Sequence, residues 1–70
     1  MDNDWIPIYS TTEPYKAEML HSLLEMEGIE NVIINKKDST YLLFGEIEIY
    51  IKRDNLLKAK GIVNHYQGHE

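Results

Sequence analysis

The chain predicts a two-layer α/β domain in the order β-α-β-β-α, on three observations. Residues 5–9 and 46–52 alternate in period two, the repeat of a strand with one buried face. Two other stretches carry apolar residues at helical spacing: Ala17, Leu20, Leu23 and Leu24 in one, Leu56, Ala59, Val63 and Tyr66 in the other. A length of 70 residues suits a single domain over 1–70, with its core between about residues 5 and 66. So short a chain buries only about 60% of the surface its unfolded form exposes, so marginal stability is expected.

In the first strand Ile6 and Ile8 share one face, and Trp5, Pro7 and Tyr9 share the other. Pro7 has no N–H to donate, which places it on an edge strand or at a bulge. Ser10-Thr11-Thr12 then leads into the first helix. Thr11 or Thr12 can cap it, Glu13 complements the positive helix end, and Pro14 fits the first turn. A capping box from Ser10 to Glu13 would push Pro14 to the fourth helical position, where an N–H is needed, so a threonine cap is expected. The helix runs to about Glu27 and stops at Gly28 in the left-handed conformation, with Ile29 packing back. Met19 and Met26 widen its apolar face to about half the circumference. Flexible thioethers can fill the margin of a core; alternatively Met19, Leu23 and Met26 meet another chain.

The second strand covers residues 31–35, with Val32 and Ile34 on one face and Ile33 on the other. Residues 36–40 form a polar turn. The third strand lies within 41–52, and its clearest part points Ile47, Ile49 and Ile51 inward and Glu46, Glu48, Tyr50 and Lys52 outward. Gly45 marks a bend or bulge at its start. Asp54 caps the second helix. Within that helix Gly61 costs about 1 kcal/mol relative to alanine and would permit close approach to a neighbour. Residues 68–70 read as a frayed tail.

A strand, helix and parallel strand connect with right-handed crossover. The tight turn makes strands two and three a hairpin, and the compact solution inserts strand three between the others. The sheet order is then 1-3-2 with both helices on one face, a ferredoxin-like core without its fourth strand. That missing strand would cover strand one, which stays an edge where Pro7 is tolerated. The start of helix one, the turn at Lys36 and Lys37, and the end of helix two share one end of the domain. Trp5, Tyr9, Ile33 and Tyr50 lie on the uncovered sheet face, with Glu46 and Glu48 among them.

The string Glu18-Met19-Leu20-His21-Ser22-Leu23-Leu24-Glu25-Met26-Glu27-Gly28-Ile29 is followed by Gly45 before Ile47-Glu48-Ile49, and by Ala59 after Asp54. This pattern resembles a small bacterial family of signal-transducing proteins, across roughly residues 5 to 66. The resemblance implies a ferredoxin-like fold and a distant likeness to PII-type regulators, which signal through the loop between strands two and three. In this chain that loop is about Lys36 to Thr40, short beside the signalling loop of those regulators.

Net charge is −5, which disfavours non-specific attraction to nucleic-acid phosphates. Residues 1–35 hold seven acids and one base, whereas 36–70 hold five acids and six bases. No cysteine is present, so neither disulfides nor cysteine zinc sites arise. The acidic, polar start is unlike a signal peptide, and no apolar run approaches the roughly 20 residues of a membrane span, so a cytoplasmic location is expected.

The rim formed by Thr11, Thr12, Lys36 and Lys37 is the candidate small-molecule site, suited to an anionic or amino-acid-like ligand by helix-start N–H groups and two ammoniums. Glu46 and Glu48 project together without a pocket that would separate their pKa values. His65 and His69 have the spacing of a helical metal pair but lack an indicated third ligand. No nucleophile motif, metal site or cofactor site is read, and no enzyme is expected. RNA-binding relatives of this fold stack bases on central-strand aromatics, but here strand one is an edge and Glu46 and Glu48 repel phosphate. The leading expectation is a regulatory or protein-interaction module. Its interface would be Trp5, Tyr9, Ile33 and Tyr50 on the open face with Met19 and Met26 on helix one, meeting a protein partner or forming a homodimer.

Overall fold

Ile47, Ile49 and Ile51 alternate with Glu48, Tyr50 and Lys52, and this strand organises the sheet. The computed structural model describes residues 4–36 and 47–68. It contains β1 (Trp5–Thr11), α1 (Pro14–Met26), β2 (Asn31–Asn35), β3 (Ile47–Lys52), a 3-10 turn over Arg53–Asn55 and α2 (Leu56–Gly68). β3 is central and antiparallel to both neighbours, in the order β1-β3-β2. The expected topology is therefore observed, and both β1 and β2 are edges. Ala17, Leu20 and Leu24 from α1 and Ala59 and Val63 from α2 pack with Ile29 and the three isoleucines of β3 to form the buried core. The Nζ of Lys58 donates to the Glu27 carbonyl at 3.3 Å, tying the end of α1 to the start of α2 and fixing the helices as antiparallel neighbours.

β1 contains a bulge where the proline lies. Pro7 pairs with Tyr50 and Tyr9 pairs with Ile49, so Ile8 is one extra residue on the β1 side. Pro7 is thus both on an edge strand and at a bulge, two settings that spare its missing N–H. The extra residue also resets the alternation. Tyr9 turns to the helix side, where Ile6, Ile8 and Tyr9 all pack against the core. Its ring meets Tyr66 of α2 edge to face, with centroids 6.0 Å apart and planes at 76°. Such a pair contributes about 0.5–1.5 kcal/mol beyond its buried area. The expectation that Tyr9 lies on the open face is corrected accordingly.

β2 corrects the sequence reading in the same way. Ile33 pairs with Ile49 and packs on the core, whereas Val32 and Ile34 pair with Tyr50 and Glu48 on the open face. Three consecutive branched residues contain no alternation of their own, so the polar ends decide. Asn31 is the inward residue and is buried. Its Nδ2 donates to the Ile29 carbonyl at 3.0 Å, which leaves Oδ1 to accept from the Nδ1 of His21 at 2.5 Å. Both halves of the amide are satisfied, so a polar side chain is tolerated where an isoleucine would be expected.

The helix ends follow from local chemistry. Pro14 is the first residue of α1, which makes Glu13 the N-cap in place of a threonine. The Thr11 hydroxyl instead accepts the Glu13 N–H at 3.1 Å, one turn outside the helix. At the other end Gly28 has φ of 75°, its N–H donates to the Glu25 carbonyl at 3.0 Å, and the Ile29 N–H donates to that of Leu24 at 2.9 Å. This is the Schellman arrangement, with Ile29 and Leu24 joined in the core. Asp54 lies within the 3-10 turn that precedes α2, rather than at a cap of the helix itself. Gly68 is the last residue of α2 rather than part of a frayed tail.

Gly61 permits no close approach, because a Cβ built there meets nothing within 4 Å. The same substitution at two glycines therefore has opposite signs. Gly61→Ala stabilises the domain by about 0.5–1 kcal/mol through helix propensity. Gly28→Ala destabilises it by about 1–2 kcal/mol by forcing a Cβ into the left-handed region. Urea denaturation of both variants checks the pair.

Candidate functional site

The registers define the uncovered sheet face. Trp5, Pro7 and Ser10 come from β1, Glu48, Tyr50 and Lys52 from β3, and Val32 and Ile34 from β2. Trp5 and Tyr50 occupy it as expected; Tyr9 and Ile33 are replaced by Val32 and Ile34. Directly paired neighbours place Tyr50 between Pro7 and Val32, and Glu48 between Ser10 and Ile34. The face is therefore an apolar and aromatic surface built around one carboxylate.

That carboxylate is held firmly. Glu48 Oε1 accepts from Lys36 Nζ at 2.8 Å and from the Tyr50 hydroxyl at 2.8 Å, and its side chain is 17% exposed. The Lys36 hydrogen bond, followed by that of Tyr50, holds the Glu48 carboxyl below its ordinary pKa. The Tyr50 hydroxyl is pushed up, first by donating to Glu48 and then by desolvation. At the strand end, Lys52 Nζ lies 5.5 Å from the centroid of the Trp5 ring, within cation–π range.

The edge of β1 opens beside α2. A cleft of about 440 Å³ there is lined by residues 7–10 together with Lys60, Val63, Asn64 and Gln67. A second groove, about 360 Å³, runs between the two helices over Leu23, Met26, Gly61 and Ile62. Met19 and Met26 are exposed on α1 and do not fill a core margin.

At the candidate ligand rim, Thr11 pairs with Ile47, which on its other side pairs with Asn35 beside Lys36. Thr11, Thr12 and Lys36 thus share one end of the sheet. The Thr11 hydroxyl serves the Glu13 N–H, and the Lys36 ammonium reaches Glu48 on the open face. Lys37, Gly45, Glu46 and His69 lie outside the described residues, and His65 is exposed on α2. Among the described residues no group of three or more His, Asp or Glu side chains could hold a metal ion, and no helix is long and apolar enough to cross a membrane.

The link between Lys36 and Glu48 escapes sequence reading, because it joins a turn residue to the neighbouring strand. Its signal is present in the opposite charges that the antiparallel register of β2 and β3 brings near each other.

These features define a class: a two-layer β-α-β-β-α module whose three-stranded sheet is covered by helices on one face and, among the described residues, bare on the other. The family described as "Putative prokaryotic signal transducing protein" matches residues 5–67, and the chain belongs to it. No curated protein and no solved structure is significantly similar.

The lowered Glu48 pKa has a defined pH consequence. Its contribution to stability is fully present above the ordinary glutamate value of about 4.3 and is lost as pH falls through the lowered folded value. Because the pair is partly exposed, Lys36→Ala should cost about 0.5–1 kcal/mol at neutral pH. That difference should shrink towards zero as pH falls below 4, as read from chemical denaturation at a series of pH values.

Proposed function

We propose that the chain is a non-enzymatic module of prokaryotic signal transduction that offers its open sheet face to a protein partner. The observation that carries this reading is the content of the bare face. Trp5, Tyr50, Val32 and Ile34 stand on it around the Lys36–Glu48–Tyr50 hydrogen bonds. Aromatic anchors beside an ordered polar group are the composition of an interface core. Family membership supports the signalling role. The chemistry of the face supports binding over catalysis, since its carboxylate is held ionised by two donors and is poorly matched to proton transfer near neutral pH. Val32 is half-exposed at the edge of the face and offers a site for a probe.

A photo-crosslinking amino acid at Val32, introduced in the native host, tests the reading. It should yield a discrete adduct with a different protein, reduced at least about tenfold by Trp5→Ala combined with Tyr50→Ala. Circular dichroism confirms that the doubly substituted chain remains folded. Absence of any adduct, or an adduct indifferent to both substitutions, contradicts the assignment of this face.

A further inference from the structure

We propose that the chain also forms a homodimer through its other surface, the helical layer, with α1 of each copy lying antiparallel over α2 of the second. The inference stands apart from the sheet-face reading, because the two surfaces are on opposite sides of the domain.

Exposed apolar side chains concentrate on the helices rather than on the sheet. Among the described residues, the exposed large hydrophobic side chains are Tyr15, Met19 and Met26 on α1 and Leu57 on α2, against Val32 alone on the strands. The two most exposed are Met26 at 80% and Leu57 at 87%. Met26 is the last residue of α1 and Leu57 the second of α2, and the Lys58–Glu27 hydrogen bond holds those two ends together. Both side chains therefore stand at the same end of the layer, one on each helix. Leu23, Gly61 and Ile62 continue the surface into the groove between the helices.

Charge selects the occupant and its orientation. Residues 13–27 carry four glutamates and one lysine, whereas α2 carries Lys58 and Lys60 and no acid. Two helical layers can meet about a two-fold axis lying in their common plane. With the axis across the helices, acidic α1 would lie over acidic α1. With the axis along the helices, acidic α1 lies over basic α2 at both places, so the surface is complementary to itself. The same axis keeps each end of the layer at its own end. Met26 then covers Leu57 of the second copy, and Leu57 covers Met26 of the second copy. One symmetry operation removes both outlying apolar residues from water and pairs the charges.

Size is consistent with this occupant. The domain is a slab of 34 × 31 × 15 Å, and a standard interface of about 800 Å² per partner would occupy most of one broad face. Two 13-residue helices, each about 20 Å long, supply somewhat less, so a weak dimer in the micromolar range is expected. In that dimer both bare sheets face outward.

Sedimentation equilibrium from about 5 µM to about 1 mM reads the association directly. The unmodified chain should dimerise, and Met26→Lys and Leu57→Glu should each weaken self-association at least about tenfold while circular dichroism stays unchanged. An equimolar mixture of the two variants should regain the dimer. Each mixed pair sets the introduced lysine against the introduced glutamate once and retains the native contact once. A strict monomer at the highest concentration overturns the proposal. So does a dimer that resists both substitutions, a dimer lost on Trp5→Ala instead, or a mixture that fails to associate.

Discussion

The bulge at Pro7 and Ile8 decides what each side of this domain can do. Without the extra residue, β1 would alternate regularly and present Trp5, Pro7 and Tyr9 together on the bare face. With it, Trp5 and Pro7 remain outside, while Ile6, Ile8 and Tyr9 all serve the core. A two-layer domain of this size has few apolar residues to spare, and the bulge adds a tyrosine to the covered side. Tyr66 near the end of α2 gains a ring partner, so the last turns of the helix are held to the sheet. Proline makes the arrangement cheap, since the edge and the bulge both relieve it of a hydrogen bond it cannot donate.

The order 1-3-2 could be read from sequence because independent signals agreed. Pro7 requires an edge or bulge, the right-handed crossover and the tight turn put strand three between the others, and the run from Glu18 to Ile29 requires a helix closed by glycine. The errors lie where a tertiary contact overrides a local pattern. Strict alternation turns Tyr9 outward, and a one-residue bulge cancels it. Ile33 lies in an apolar triplet with no periodicity, whereas His21 and the Ile29 carbonyl settle the facing of Asn31. The cap moved to Glu13 because a proline at the first helical position fixes the residue before it. Of the candidate interface, Trp5 and Tyr50 were readable from their strands, but Lys36 acquires its place through Glu48 on the adjacent strand.

The finished domain is thin, and its two broad faces differ in character. The sheet face pairs Lys36 with Glu48 and holds Lys52 over the Trp5 ring, so its few charges are each tied to a neighbour on the same face and only that of Lys52 is unbalanced. The helical face keeps its charges separated, acidic on α1 and basic on α2, with apolar side chains between. Aromatic surface with few charges suits a distinct partner, whereas segregated charge suits a surface that meets its own complement. The uneven charge along the sequence thus becomes a lateral dipole across one layer, because the fold sets the acidic first helix beside the basic second.

The division of the two faces depends most directly on which way Tyr9 points. A nuclear Overhauser spectrum of the labelled chain reports this without altering a residue. The bulge predicts cross-peaks between the ring protons of Tyr9 and those of Tyr66, with further contacts to core methyl groups. Cross-peaks from the Tyr9 ring to the side chains of Pro7 and Tyr50, with none to Tyr66, would show a regular strand and contradict both the division of the faces and the surfaces assigned to them.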